Sequence, residues 1–349
     1  VGEVLKLLRF KSKAGEGLGI PVERYDPERD GVSHSLLSKW KRCRELARLH
    51  LMGWRSRGSR PGQTFGDLVH AVLERVYGQI QSGKIKTIPT ERQVKQVITK
   101  VELAWRKKNT RADSDAISTM EMMLLLVEAI MPIYFTFYHK DLTRMDWFHL
   151  EQFIGDVKRG RTFGRHVTHL IGKIDGAFRP GDKKKLWLFE TKTKGRLGES
   201  GESNLSDIMH FEAQTHLYLG ALQDVTGEVP GGVLLNIIRR PNLKVKKNES
   251  LRAFNERLIA DIKTRPRYYF IRLRMDISKS DLESQRRSLD GQFTDFLAWF
   301  HGETPHYQNS DACEDKNGSC EMIRICGRRD FTGMYQLPPR RKDQIGDRL

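Results

Sequence analysis

The 349-residue sequence predicts an α/β protein with a helical N-terminal part, a core of strands and helices and a cysteine-containing C-terminal loop. Three observations carry this reading. Apolar residues recur at three- and four-residue steps up to about residue 138. After Asp146 the spacing changes to short strand-like runs, and from Gly302 onward it gives way to a loop containing Gly, Pro and Cys. With 38% hydrophobic and 30% charged residues, the chain can bury a substantial core.

In order, residues 1–32 read as a loose lead-in. From Ser33 to about Trp54 the apolar residues Leu36, Leu37, Trp40, Cys43, Ala47 and Leu51 mark an amphipathic helix, with Ser33 or Ser35 as its cap. Thr64 to Ile80 is a second helix, and Glu91–Lys107 and Asp115–Tyr138 are two more. Trp147–Val157, Val167–Phe178 and Lys185–Thr191 read as strands, with a turn at Arg179-Pro180-Gly181-Asp182. The unbroken run Leu186-Trp187-Leu188-Phe189 fits a strand covered on both faces. Ser206–Leu222 returns to helix, Gly232–Ile238 to strand and Ser278–Phe300 to helix. The expected segments are therefore 1–32, a helical part 33–145, a core 146–301 and a C-terminal segment with a basic tail, 302–349.

The net charge is +17, from 61 Lys and Arg against 44 Asp and Glu. Such an excess favours a polyanionic partner, because neutralising phosphates releases condensed counterions. Lys39–Arg60 holds eight basic residues and one acid, Glu45, and Arg239–Lys247 holds five basic residues and no acid. The richest apolar run, Met120–Tyr138, is interrupted by Glu121, Glu128 and Pro132, so no membrane span is expected. Val1–Phe10 is too short and mixed to read as a secretion signal, and the expected location is the cytoplasm.

The chemistry centres on a strand pair. Asp175 lies in Ile171-Gly172-Lys173-Ile174-Asp175-Gly176, and Glu190 and Lys192 lie in Leu188-Phe189-Glu190-Thr191-Lys192. Strand alternation puts Glu190 and Lys192 on one face and Thr191 on the other. A carboxylate closing an apolar strand is costly unless it is paired or binds a cation. Two carboxylates with backbone oxygen and water suit Mg²⁺ or Mn²⁺, and Lys192 could orient the attacking water. Taken alone, the same residues also describe a buried Glu190–Lys192 ion pair. His70 and Glu74 are four apart on one helical face, and Gln214 and Tyr218 share a face of the helix after the strands.

In this order and spacing, Gly66-x3-His70-x3-Glu74, Gly172-x2-Asp175, Glu190-x-Lys192 and Gln214-x3-Tyr218 resemble the RecB-like branch of the PD-(D/E)XK nucleases. Ser33-His34-Ser35-Leu36-Leu37 followed by Cys43 is similar to that branch's first helix. The resemblance runs from about Ser33 to Cys326. It implies a restriction-endonuclease-like core with a central mixed sheet flanked by helices, and a metal held by His70, Asp175, Glu190 and a backbone carbonyl near Thr191. It further implies that Lys192 is catalytic and that Gln214 and Tyr218 contact DNA or brace the site. The expected activity is hydrolysis of DNA phosphodiesters on single strands or ends, as in an exonuclease of recombination, repair, or phage or CRISPR DNA processing, and the resemblance places it in the cytoplasm of a bacterium or a phage-infected host.

Cys43 in an early helix and Cys313, Cys320 and Cys326 near the end suggest thiolate ligands that fasten the tail to the first helix. Relatives in this branch, such as AddB nuclease domains and CRISPR-adaptation nucleases, carry a 4Fe-4S cluster with this one-plus-three layout. Here six residues separate Cys313 from Cys320, where many of those relatives have two. The competing readings are structural Zn²⁺, with His306 as a further ligand, and plain buried cysteines.

Gly78-x4-Gly83-Lys84 imitates a phosphate loop, but Ile85 stands where Ser or Thr is required, so any helicase would be a separate partner. Two functions compete with the DNA nuclease: a non-catalytic DNA-binding or scaffold subunit, and an RNA-directed nuclease with the same core. Trp40, Trp54, Tyr268 and Tyr269 could stack bases or lie in the core.

Overall fold

The computed structural model describes residues 18–56, 61–110, 112–150, 153–154, 160–181, 185–195, 212–315 and 318–339. Ser33 caps the first long helix, its hydroxyl accepting from the Leu36 N–H at 3.2 Å, and opens α1 (His34–Arg42). The single helix expected up to Trp54 is two. Cys43 has extended backbone (φ −162°, ψ 124°), ends α1 and precedes α2 (Arg44–Leu51). Leu36, Leu37 and Trp40 of α1 enter the same core as Ala47 and Leu51 of α2, so the apolar spacing runs on through the break.

The next helices are α3 (Pro61–Gln81), α4 (Glu91–Lys108) and α5 (Ser114–Phe137). Thr90 and Gln93 form a capping box on α4, and Asp113 caps α5 by accepting from the Ala116 N–H. By length and composition alone α5 could cross a membrane. In this fold its Met120, Val127, Ile130 and Tyr134 pack with Val69, Val72 and Val76 of α3.

Five strands form the central mixed sheet: β1 (Met145–Leu150), β2 (Gly176–Pro180), β3 (Trp187–Lys194), β4 (Gly232–Arg239) and β5 (Phe270–Asp276), in spatial order β5-β4-β3-β2-β1. β3 and β4 are parallel, and the other neighbours are antiparallel. The parallel pair needs a crossover, which α6 (Ala213–Thr226) supplies. α7 (Leu251–Thr264) connects β4 to β5, and α8 (Lys279–Phe300) follows the sheet. Leu186 and Leu188 face the α6–α8 side with Leu217 and Trp299, whereas Trp187 and Phe189 face the α3–α5 side with Tyr77. The strand is covered on both faces, as its unbroken apolar run requires.

Several expected elements differ. Val167–Phe178 is not one strand but parts of three, His166–Thr168, Leu170–Lys173 and β2, each in a separate sheet. Leu170–Lys173 pairs with Val32–Ser33 and Phe153–Ile154. Asp175 sits where the chain leaves that sheet for the central one. Arg179 and Pro180, expected in a turn, still belong to β2, and Asp182 lies outside the described residues. So do residues 151–152 and 155–157 of the first expected strand and 206–211 of the expected helix start. Leu18, Ile20 and Tyr25, in the expected lead-in, are buried against the α6–α8 side. In the C-terminal segment, Met334–Gln336 pairs with Trp54–Ser56, and Met322 and Ile325 pack on Leu46 and Leu49 of α2.

Candidate active site

The acidic site forms where β2 stops short. β2 pairs with β3 only as far as Gly176 opposite Phe189. Beyond that point the Thr191 N–H has no strand partner on the β2 side, and Asp175 Oδ2 accepts from it at 2.6 Å. The other Asp175 oxygen lies 3.1 Å from His70 Nδ1 on α3. Glu190 and Lys192 project from the same face of β3, with Lys192 Nζ 2.9 Å from Glu190 Oε1.

Two glycines allow this convergence. A Cβ on Gly66, one turn before His70, would stand 2.9 Å from Thr193 Oγ1, so α3 can lie this close to β3 only with glycine there. A Cβ on Gly172 would stand 2.6 Å from Tyr218 Cε1, so glycine opens room for that ring. Gln214 links Lys192 to Tyr218: its Oε1 accepts from Lys192 Nζ at 2.8 Å, and its Nε2 donates to the Tyr218 hydroxyl at 3.2 Å.

The electrostatics favour a cation. Glu190 is 3% exposed, and its Oε2 is buried with no hydrogen-bond partner among the described residues. Burial first, and then the charge of Asp175, pushes the Glu190 carboxyl up to about 7 despite the contact with Lys192. Burial works against the Lys192 ammonium, but Glu190, Glu212 and Asp175 outweigh it and hold Lys192 above its ordinary value. Burial and the neighbouring Glu190 raise Tyr218 to about 12, so its hydroxyl stays protonated. Three carboxylates face one ammonium, an excess of negative charge that a divalent cation would relieve. A bare carboxylate oxygen beside a second carboxylate is the donor chemistry that Mg²⁺ and Mn²⁺ prefer. Among the described residues, no three or more His, Cys, Asp or Glu side chains close to a metal-holding arrangement, here or at the cysteines.

Some residues were not singled out from the sequence. Glu212, just ahead of α6, reaches Lys192 at 3.4 Å, and its only signal was an acid two residues before Gln214. His34 at the start of α1 feels both Glu212 and Lys192. Glu74, one turn after His70 on α3, faces Lys173 at 3.7 Å.

The four cysteines share one corner of the fold, all unpaired and half-buried. Cys43 Sγ accepts from the Asn309 N–H at 3.4 Å, and the Cys320 N–H donates to the Cys313 carbonyl at 2.7 Å. Burial, then the charges of Glu45, Cys320, Cys43 and Cys313, pushes the Cys326 thiol up to about 12. A cationic centre bound at this corner would offset the burial and neighbouring charge that disfavour a Cys326 thiolate. Both ring nitrogens of His306 are engaged elsewhere, Nε2 with Glu45 at 2.9 Å and Nδ1 with the Trp299 indole at 3.3 Å. Of the four aromatic residues, Trp40 and Tyr269 are buried, Trp54 is half-buried, and Tyr268 is exposed. Arg239 and Arg265 lie 4.3 and 4.5 Å from the Tyr268 ring.

A family model described as the PD-(D/E)XK nuclease superfamily matches residues 31–327. The chain also resembles a solved structure from Eubacterium rectale that carries a provisional exonuclease name. The two share 11% identity at a TM-score of 0.42, over 91% of this chain and 92% of that one. No curated protein matches.

Proposed function

The chain belongs to the PD-(D/E)XK nuclease superfamily, and from that premise we propose that it is a divalent-metal-dependent deoxyribonuclease of the RecB-like kind, acting on single strands or DNA ends. The observation that carries this reading is the convergence of Asp175, Glu190 and Lys192 at one sheet edge, with the second Glu190 oxygen buried and without a hydrogen-bond partner among the described residues. His70, Asp175, Glu190 and the Thr191 carbonyl would hold Mg²⁺ or Mn²⁺. Bound there, the metal supplies Lewis-acid stabilisation of charge on the phosphodiester and a more acidic water.

The residues' own tasks follow from their contacts. Lys192, held charged by its acidic neighbours, donates to the attacking water or to a non-bridging phosphate oxygen. Gln214 and Tyr218 restrain the ammonium from the α6 side. Asp175 keeps the Thr191 peptide and His70 in register with each other. The net charge of +17 supplies the attraction for a nucleic-acid backbone.

The test is incubation with end-labelled single- and double-stranded DNA and matched RNA, with Mg²⁺, with Mn²⁺ or with chelator, alongside Lys192→Ala. Metal-dependent cleavage of DNA by the wild type alone supports the reading. Preference for RNA moves it to the RNA-directed alternative. Binding without cleavage under every condition moves it to the non-catalytic subunit.

Cys43, Cys313, Cys320 and Cys326 are the proposed ligands of a 4Fe-4S cluster, with structural Zn²⁺ as the competing reading. Support comes from their gathering at one corner, where Cys43, Cys320 and Cys326 pack on one small apolar cluster and the Cys313 carbonyl accepts from the Cys320 N–H. Anaerobically purified protein is expected to be brown and to contain iron, and Cys43→Ser to be colourless. Colourless wild type containing zinc selects the other reading.

A further inference from the structure

Behind the acidic site lies a buried polar network that the chemistry above does not use. Asn236, on β4, is fully buried directly opposite Thr191. Its Oδ1 accepts from the Tyr134 hydroxyl at 3.1 Å and from Arg272 Nε at 3.2 Å. A guanidinium only donates, so Arg272 fixes which end of the amide is the oxygen and leaves the amide nitrogen facing Thr191. That nitrogen donates to Thr191 Oγ1 at 3.3 Å.

The network continues to the helix that carries His70. Arg272 makes a bidentate pair with Asp141, at 2.7 Å to each oxygen. Asp141 Oδ2 also accepts from the Tyr77 hydroxyl at 2.7 Å. Tyr77 lies seven residues beyond His70 on α3, about two turns along the same face. One buried ion pair therefore braces both the strand of Glu190 and Lys192 and the helix of His70. Burying such a pair brings little net stability, and well-packed apolar groups often serve as well. A role in fixing geometry accounts for its presence.

We infer that Asn236 and the Asp141–Arg272 pair position the active-site strand, with Thr191 as the residue through which they act. Thr191 is β-branched and stiff about χ1, so pinning its hydroxyl on one face of β3 fixes its peptide. Its N–H then meets Asp175. In an extended strand the N–H and C=O of one residue point to the same side, so the Thr191 carbonyl is turned toward that side as well. Strand alternation puts the Thr191 side chain, and Asn236 with it, on the face of the sheet away from Glu190 and Lys192. They are positioning residues, and the inference rests on the metal-dependent reading above.

The test measures Mn²⁺ binding by calorimetry without DNA, together with thermal unfolding, for the wild type, Thr191→Val, Thr191→Ser, Asn236→Leu and Thr191→Val/Asn236→Leu. Thr191→Val keeps the shape and removes the hydroxyl. It is expected to weaken Mn²⁺ binding about tenfold, within the range for residues that orient metal ligands. Thr191→Ser is expected to restore binding. The double variant should bind no more weakly than the weaker single variant, because both break one link. Unchanged affinity in folded Thr191→Val, or equal weakening in Thr191→Ser, overturns the inference and leaves the nuclease reading standing. If Asn236→Leu does not fold, the two Thr191 variants decide the matter. A wild type that neither binds Mn²⁺ nor cleaves DNA overturns both.

Discussion

The Thr191 N–H donates to Asp175 Oδ2 at 2.6 Å, so a side chain supplies the partner that β2, which begins only at Gly176, does not reach. Asp175 is thus tied to the sheet edge through one oxygen and to His70 through the other. Asp175→Asn keeps an acceptor for the Thr191 amide and removes the charge. It is expected to fold with near wild-type stability, to bind Mn²⁺ at least about tenfold more weakly and to lose DNA cleavage. Asp175→Ala also leaves the amide without its acceptor, and should lose a further ~1 kcal/mol of stability. Calorimetry and thermal melts on the two variants separate the charge from the hydrogen bond.

Lys192 stands between Glu190 at 2.9 Å, Gln214 at 2.8 Å and Glu212 at 3.4 Å. As a stabiliser of transition-state charge, its removal in Lys192→Ala should slow cleavage by about a hundredfold or more. Mn²⁺ binding should not weaken, because the variant removes a competing cation from Glu190. A parallel loss of metal affinity would make Lys192 a structural counterion instead. Single-turnover rates beside metal titrations distinguish these outcomes.

His34 supplies a test of pH dependence. Burial, aided by the Lys41 and Lys192 charges and opposed by Glu212, lowers its imidazole from 6.5 to about 4. Between those values the unfolded chain binds a proton that the folded chain refuses, so this residue makes stability fall as pH falls from about 6.5 toward 4. Above that window His34 contributes no slope. His34→Gln is expected to be less acid-sensitive than wild type across pH 6.5 to 4 and to match its pH dependence above it. Denaturant melts across that range would show parallel curves if His34 were instead free to protonate in the fold.

Much of the site was legible because its spacing is local. Glu190-x-Lys192 follows from strand alternation, and Gln214-x3-Tyr218 from one helical turn. The fold class was legible for the same reason, since the period of the apolar residues changes after Asp146. Longer-range features left no such trace. The break at Cys43 hides because α1 and α2 bury into one core, and the split of Val167–Phe178 hides because each piece keeps strand-like spacing. α7 and β5 went unassigned in a stretch dense in Arg, where Arg272 reads as surface but is half-buried and paired with Asp141. Asn236 gave no sign at all, since its partners lie on α5, β3 and β5.

Gly172 gives the sharpest test of how tightly α6 closes on the site. Gly172→Ala would place a methyl 2.6 Å from Tyr218 Cε1, inside any real carbon–carbon contact. Tyr218 is buried, so its ring has little room to retreat, and overpacking of this kind costs about 1–3 kcal/mol. Any retreat also pulls the Tyr218 hydroxyl away from Gln214, and with it the restraint on Lys192. Gly172→Ala should therefore lower both the melting temperature and the cleavage rate. Gly172→Ala/Tyr218→Leu relieves the clash and should recover stability without recovering the rate. Recovery of both would show that Tyr218 serves only as packing, and the Lys192–Gln214–Tyr218 chain would lose its role.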